Sequence, residues 1–428
     1  MKELLFFFAL LLAVHCQKRF IGDQVLRIEP GSNEQISVLQ SLQEEDDFQL
    51  DFWLHPTNPD LPVDVRVPIA SLQAVKDFLE SNGIRYSVMI SDVQEMLEQE
   101  QKEMEANRRM ERSSKSFNFA AYHTLETIYD WMDTTIKVLR YCTMIVTHYR
   151  NSLLDYENFE TPCCLLVFQF STGSSSRPAI WIDAGIHSRE WVTQATAVWT
   201  ANKIATDYGQ DRSLTSILDM LDIYLLVVAN PDGYAYTHSN NRMWRKTRSK
   251  NPGSVCVGVD PNRNWDAGFG EGPGASTNPC SDSYHGPSAQ SEVEVKNVVN
   301  FIKQTGNFKG FISIHSYSQL LMYPHGYSCN NIPDYQELDA VGKSAAKALG
   351  SLYGTSYKVG SICKIIYQAS GGSIDWSYNY GIKYSFAFEL RDTGRYGFLL
   401  PANQIIPTAS ETWLALLNIM EYVRDHTY

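Results

Sequence analysis

The sequence predicts an α/β protein with a small leading domain and a larger second one. Three observations carry that expectation. Residues 20 to about 95 read in the order β-α-β-β-α-β. Short apolar runs recur through the second part of the chain, and several end on a single polar residue. Between the two parts lies Val93 to Arg112, rich in Glu, Gln, Met and Arg with neither Gly nor Pro, as a connecting helix requires.

In chain order, Met1-Lys2-Glu3 leads into an apolar run from Leu4 to Val14 and then Cys16-Gln17. That run is too short to span a bilayer and reads as a secretory signal cleaved near Cys16, so the product is expected to be secreted and extracellular. Phe20 to Ile28 alternates as a strand, Glu34 to Glu44 as a polar helix, and Phe48 to Trp53 as a second strand. Val63 to Val67 is a third strand. A helix ending near Leu79 follows, and Asn82-Gly83 turns the chain into Tyr86 to Ile90. This order is compatible with a ferredoxin-like fold. In the larger part, Ala179 to Asp183 is a buried strand that delivers His187, and Thr193 to Tyr208 is a helix. Ile223 to Val228 is a strand delivering Asn230 to Gly233 as a turn. Phe311 to Ile314 ends in His315, Tyr384 to Phe388 ends in Glu389, and the last helix runs from about Thr408 to Val423. Open α/β sheets assemble their sites at such strand ends.

The chain has 428 residues, 44% of them apolar and 20% charged, enough for more than one core. Of the net charge of -12, most lies between Gln17 and Arg112, where 19 acidic residues face 10 basic ones. This balance argues against nucleic-acid binding, and the basic run Arg242 to Lys250 is by itself a weak signal. No later apolar stretch is long enough to cross a membrane. No oligomerisation repeat is evident, so a monomer is the default. Cys256, Cys280, Cys329 and Cys363 can form two disulfides in an oxidising compartment, with the pairing left open by sequence. Cys142, Cys163 and Cys164 form an odd remainder.

His187-Ser-Arg-Glu190 spaces two metal-ligand types three residues apart, on one face of a helical turn. With His315 they make a two-histidine, one-glutamate set, which suits catalytic zinc with an open position for water. Asp260 is a candidate to accept from the outer ring nitrogen of His187 and fix its tautomer. Glu389, among apolar neighbours, is a candidate general base, and Arg245 a candidate partner for a developing oxyanion. Asn262 and Arg263 offer an amide and a guanidinium for a terminal carboxylate, with Tyr367 in a Gly/Ser-rich loop able to close over it. Ile374 and Ala387 are candidates for lining a side-chain pocket, and Asp375, if its segment is extended, points away from it. The set as a whole points to zinc-dependent removal of a carboxyl-terminal residue.

These residues resemble the metallocarboxypeptidase A family in its pancreatic procarboxypeptidase form, over nearly all of the chain except residues 125–169. The zinc motif stands as His187 to Glu190 with His315 in Ile314-His315-Ser316-Tyr317, and the catalytic glutamate as Glu389 in Phe388 to Asp392. The oxyanion arginine matches Arg245, the carboxylate clamp Asn262 and Arg263, and the closing tyrosine Tyr367. Arg189, Tyr317 and Phe398 match residues lining the outer substrate positions.

The resemblance implies one Zn2+ per chain and a central mixed sheet of eight strands flanked by helices. It implies a signal peptide over 1–16, an inhibitory prodomain over 17–95, a connecting helix and activation segment over 96–112, and the enzyme over 113–428. A trypsin-like protease would cut near Arg112, the substrates being peptide and protein C-termini. Ile374 stands where basic-specific enzymes carry an aspartate, which implies release of bulky apolar or aromatic residues. Ser373 and Ala387, with a Cys329–Cys363 pair beside Cys256–Cys280, resemble the A2-like branch and imply a roomy pocket. The stretch 125–169 departs from the family pattern, is longer, and holds the three odd cysteines. Two alternatives remain, basic-residue specificity on the same fold and a secreted binding protein without turnover. The first runs against Ile374, the second against the intact set of site residues.

Overall fold

The computed structural model describes residues 17–137, 141–148, 164–173, 177–272 and 274–428. The signal segment 1–16 and Cys163 lie outside the described residues, as does the side chain of Cys164.

The leading domain is a four-stranded antiparallel sheet of β1 (Gln24–Glu29), β2 (Asp51–Leu54), β3 (Val63–Val67) and β4 (Arg85–Ile90), in the order β2-β3-β1-β4. The helices Asn33–Gln43 and Leu72–Ser81 cover one face, where Leu26, Ile28, Leu39, Val65, Val75 and Leu79 form a closed core. Strand alternation turns Val25, Trp53 and Ile90 to the other face, and these pack not on water but on Met243, Tyr317, Phe398 and Leu399 of the large domain. Asp92 caps the helix Val93–Ser114 by accepting from Gln94 N and Glu95 N. This helix is continuous through residue 95, so the boundary expected there falls in its first turn.

The large domain is built on an eight-stranded mixed sheet. Its strands are β5 (Cys142–His148), β6 (Cys164–Phe170), β7 (Ala179–Ala184), β8 (Asp222–Leu226), β9 (Phe308–Ser316), β10 (Leu320–Tyr323), β11 (Lys358–Ser361) and β12 (Tyr384–Leu390). They run β11-β10-β12-β9-β7-β8-β6-β5, with β12, β9, β7 and β8 mutually parallel. Alternate residues feed opposite cores. Ile180 and Ile182 meet the helices Trp191–Asp207 and Ile405–Asp425, whereas Ala179 and Trp181 meet the helix Val293–Thr305. Helices on both faces explain why the central strands read as near-continuous apolar runs. The atypical stretch supplies the helix Leu125–Ile136, whose Ile128 and Met132 enter the first core, and the edge strand β5. Cys142 is a free thiol buried in that core, which pushes it up to about 12. Cys256 is bonded to Cys280 and Cys329 to Cys363.

Two local expectations differ from the structure. Asn230 to Gly233 is not a turn but the start of the helix Pro231–Ser239, because Asn230 Oδ1 accepts Gly233 N at 3.0 Å and Pro231 occupies the first turn. The segment around Asp375 is not extended but lies in the helix Ser373–Tyr380.

Candidate metal centre and substrate cleft

The parallel strands place the polar residues by register. Glu389 on β12 stands directly opposite His315 on β9, and Ile314 opposite Ala184, the last residue of β7. His187 follows β7 on a turn closed by Glu190 N donating to His187 O. Glu190 is the residue that precedes the helix Trp191–Asp207. The strand ends thus bring residues 187, 190, 315 and 389 together from a span of some two hundred positions.

Three donors converge. His187 Nδ1 lies 2.8 Å from Glu190 Oε1 and 3.2 Å from His315 Nδ1, and His315 Nδ1 lies 3.3 Å from Glu190 Oε2. All three side chains are buried. Ligands about 2.0–2.1 Å from a tetrahedral zinc are spaced roughly 3.4 Å apart, so the observed spacing fits one such ion. Two ring nitrogens facing one another across a carboxylate are also a donor set that a cation satisfies and a proton does not. His187, Glu190 and His315 are positioned to hold a single Zn2+.

The outer ring nitrogens are held in turn. His187 Nε2 lies 3.2 Å from Asp260 Oδ1, and His315 Nε2 lies 3.3 Å from both Ser313 Oγ and Asn262 Nδ2. Ser313 Oγ donates to Asp183 Oδ1 at 2.8 Å. Burial pushes the Asp183 carboxyl up to about 6, against the pull of its Ser313 and Trp181 hydrogen bonds. Asp183 and Ser313 were legible in the sequence only as ordinary strand residues.

Arg245 donates through Nε and Nη2 to Asp260 Oδ2, at 3.1 and 2.9 Å. Burial would raise the Asp260 carboxyl, yet Arg245, Arg263 and His187 hold it well below the usual range. Glu389 Oε2 is buried with no hydrogen-bond partner, and burial and the neighbouring Glu190 push its carboxyl well above the usual range. Arg263 Nη2 donates to the Tyr367 hydroxyl at 2.9 Å, and Asn262 Oδ1 accepts Ser373 N at 2.9 Å. Behind these, Ser373, Ile374 and Ala387 line a recess with Met322, Ile362 and Ile366. Sequence reading missed these last three, because an apolar residue in a loop carries no mark of the cavity it faces.

Sequence reading also missed which prodomain residues occupy the outer cleft. Asp51 Oδ1 accepts Arg189 Nη1 at 2.8 Å, and the Tyr317 hydroxyl donates to Asp64 Oδ2 at 2.6 Å. Trp53, 5% exposed, packs 5.0 Å from Phe398 and 6.4 Å from Tyr317 by ring centroids. Burying such a side chain contributes about 2–3 kcal/mol. Buried ion pairs often only break even against desolvation. The apolar contact therefore carries most of the hold, and the charged pairs set its register. Glu100 on the connecting helix accepts both Nε and Nη2 of Arg242, at 2.7 and 3.0 Å. Arg112 is exposed in the last turn of that helix.

Comparison with known proteins agrees with this geometry. Residues 163–415 match the model of the zinc carboxypeptidases, and residues 26–100 that of the carboxypeptidase activation peptide. Carboxypeptidase A2 of Mus musculus is 61% identical over 415 residues, 97% of each chain. Carboxypeptidase A1 of Homo sapiens is 58% identical over 428 residues, the full length of both. Among solved structures, thrombin activatable fibrinolysis inhibitor aligns over 95% of this chain and 100% of its own, with a TM-score of 0.85 at 33% identity. Carboxypeptidase A from Helicoverpa armigera aligns over 95% and 99%, with a TM-score of 0.83 at 26% identity. With the metal-ligand triad at the strand ends and an activation-peptide domain seated on the cleft, the chain belongs to the zinc carboxypeptidase family.

Proposed function

We propose that this chain is the secreted zymogen of a zinc metallocarboxypeptidase of the A type, which hydrolyses the last peptide bond of a chain and releases a bulky aromatic or aliphatic residue. The observation that carries this reading is the convergence of His187, Glu190 and His315 beside Glu389, at the mouth of an apolar recess gated by Arg263 and Tyr367. Zinc bound by the triad would polarise the scissile carbonyl and make a water molecule more acidic.

The protein's residues divide the remaining work. Arg263, Asn262 and Tyr367 hold the terminal α-carboxylate, the guanidinium doing so in two-point fashion. That places the last peptide bond over the triad and sends the terminal side chain into the recess lined by Ser373, Ile374 and Ala387. Glu389 takes a proton from the attacking water and passes it to the leaving amine. Its unpartnered Oε2 leaves it free for that transfer. Arg245, oriented by Asp260, donates to the carbonyl oxygen as negative charge develops there. Arg189, Tyr317 and Phe398 would receive the residues upstream of the cut. Ile374 in the recess disfavours a basic terminal residue, as does the turning of Asp375 to main-chain N–H groups.

In the precursor the same outer positions carry Trp53, Asp51 and Asp64, so residues 17–95 act as an inhibitor and not merely as a leader. The strand order β2-β3-β1-β4 with two helices on one face supports a ferredoxin-like fold for that domain. Residues 96–112 form the connecting and activation segment, cut by a trypsin-like protease after Arg112 to leave a monomeric enzyme over 113–428. Secretion by way of a signal over 1–16 completes the reading. Brief trypsin treatment should switch on chelator-sensitive release of C-terminal Phe and Trp from blocked peptides. Release of Arg in preference to Phe would refute the pocket assignment, and no release from folded, zinc-loaded protein would refute the enzyme reading.

A further inference from the structure

Asp375 follows Ile374 in the first turn of the helix Ser373–Tyr380, yet its carboxylate does not cap that helix. It is fully buried, and both oxygens accept the Gly326 N–H, at 3.0 and 2.8 Å, while Oδ2 also accepts that of Tyr327 at 3.0 Å. Burying a carboxylate is costly, and this one spends its acceptors on the main chain of a segment some fifty residues away.

That segment is in turn bonded to the one that carries Tyr367. Gly326 O accepts Ala369 N at 3.0 Å, His325 O accepts Cys363 N at 3.1 Å, and Tyr327 O accepts Gln368 Nε2 at 2.8 Å. The Cys329–Cys363 disulfide ties the same two segments covalently. The fit is close, since a Cβ on Gly326 would stand 2.9 Å from Ala369 O and 3.1 Å from Ile362 Cγ2. Ile362 and Ala369 both line the recess. One carboxylate thus joins the helix that presents Ile374 to the opposite wall and to the loop bearing Tyr367.

We propose that Asp375 is a positioning residue for the side-chain pocket: through Gly326 and Tyr327 it fixes the wall formed by residues 362–369, and with it the room available to a bulky terminal side chain. The inference rests on the carboxypeptidase reading. It separates two neighbouring residues by task, Ile374 touching the substrate side chain and Asp375 acting only through other groups.

The test uses the full precursor activated with trypsin and three matched blocked peptides ending in Phe, Trp and Ala. Asp375→Asn keeps the size but turns an amide donor toward an N–H. Its KM for the Phe and Trp peptides should rise roughly tenfold with kcat within about twofold, while the Ala peptide is little changed. Gly326→Ala pushes on the same wall from the other side and should lower the Phe-to-Ala selectivity in the same way. The double variant should lose no more than the worse single one. Equal losses on all three peptides, or unchanged selectivity in folded protein, would overturn the proposal. If Asp375→Asn does not fold, the selectivity of Gly326→Ala decides. Wild-type protein that releases Phe alongside variants of unaltered selectivity would sink only this inference. Wild-type protein that releases none would sink the carboxypeptidase reading and this inference with it.

Discussion

Asp51 of the prodomain and Arg189 of the enzyme domain form a buried ion pair, 2.8 Å apart, across the outer cleft. Burial alone would raise the Asp51 carboxyl, but the charges of Arg189 and Arg66 hold it at about 2. The pair therefore stays ionised throughout the pH range in which a secreted protein works. The positively charged Arg189 needs a carboxylate while the cleft is covered, and Asp51 supplies it.

Replacing Asp51 with Asn should loosen the prodomain without unfolding it. Removing one member of a buried pair often costs about 3–5 kcal/mol. Here the loss is smaller, since Asp282 stands 3.6 Å from the same guanidinium and remains. With about 1–2 kcal/mol lost, the uncut Asp51→Asn precursor should hydrolyse a small blocked Phe peptide roughly tenfold faster than uncut wild type. Equal background rates in the two uncut precursors would show that the pair contributes nothing to inhibition.

His55 gives the hold a pH dependence that Asp51 does not. Its ring lies 5.9 Å from that of Tyr367, and burial, then the charges of Arg245, Arg263 and Arg189, lower it from 6.5 to about 3. A value depressed on docking means that the neutral ring docks. The contribution is thus complete above the free value and is lost as pH falls toward the docked one. The full shift would weaken docking about thirtyfold between pH 8 and pH 5; the ring is partly exposed, so on the order of tenfold is expected. Size-exclusion profiles of protein cut after Arg112 should show prodomain dissociating at lower dilution at pH 5. In His55→Phe that pH difference should vanish.

Glu111 should govern how fast the precursor is cut. Its Oε1 accepts Asn118 N at 2.6 Å and lies 2.8 Å from His123 Nε2, which ties the last helical turn to the chain beyond it. A protease needs Arg112 in extended form, so that turn must open first. Glu111→Ala removes both ties and should raise the trypsin cleavage rate about three- to tenfold, followed by gel densitometry. An unchanged rate would mean that the turn is already open.

Much of this was legible because chemistry and period coincide. His315 and Glu389 each sit near the end of an apolar run, and a parallel sheet turns such ends into one rim. The pairing of Glu389 with His315 was not legible, since register is set by packing far from either residue. Asp375 was misjudged for a similar reason. Short stretches such as Ser373 to Trp376 fit strand and helix alike, and only the tertiary neighbours Gly326 and Tyr327 decide between them. Asp51 and Trp53 read as a half-buried strand, with nothing to say that the covering partner would be the enzyme's own cleft.

Glu389 lets activity be separated from stability. A side chain kept for packing or pairing should cost stability when changed. Glu389 Oε2 has no partner to lose, and its charge is disfavoured by burial and by Glu190. Glu389→Gln keeps the shape and removes the proton acceptor. Activated protein carrying it should lose about 10²- to 10⁴-fold in kcat. Its zinc content should stay at one per chain, and its thermal midpoint should be equal or higher. His315→Ala is the contrast, since it removes a metal ligand and should lower zinc content, activity and midpoint together. If Glu389→Gln lost zinc as His315→Ala does, the carboxylate would belong to the metal's coordination and not to proton transfer. If it kept its activity, another group would have to be moving the proton.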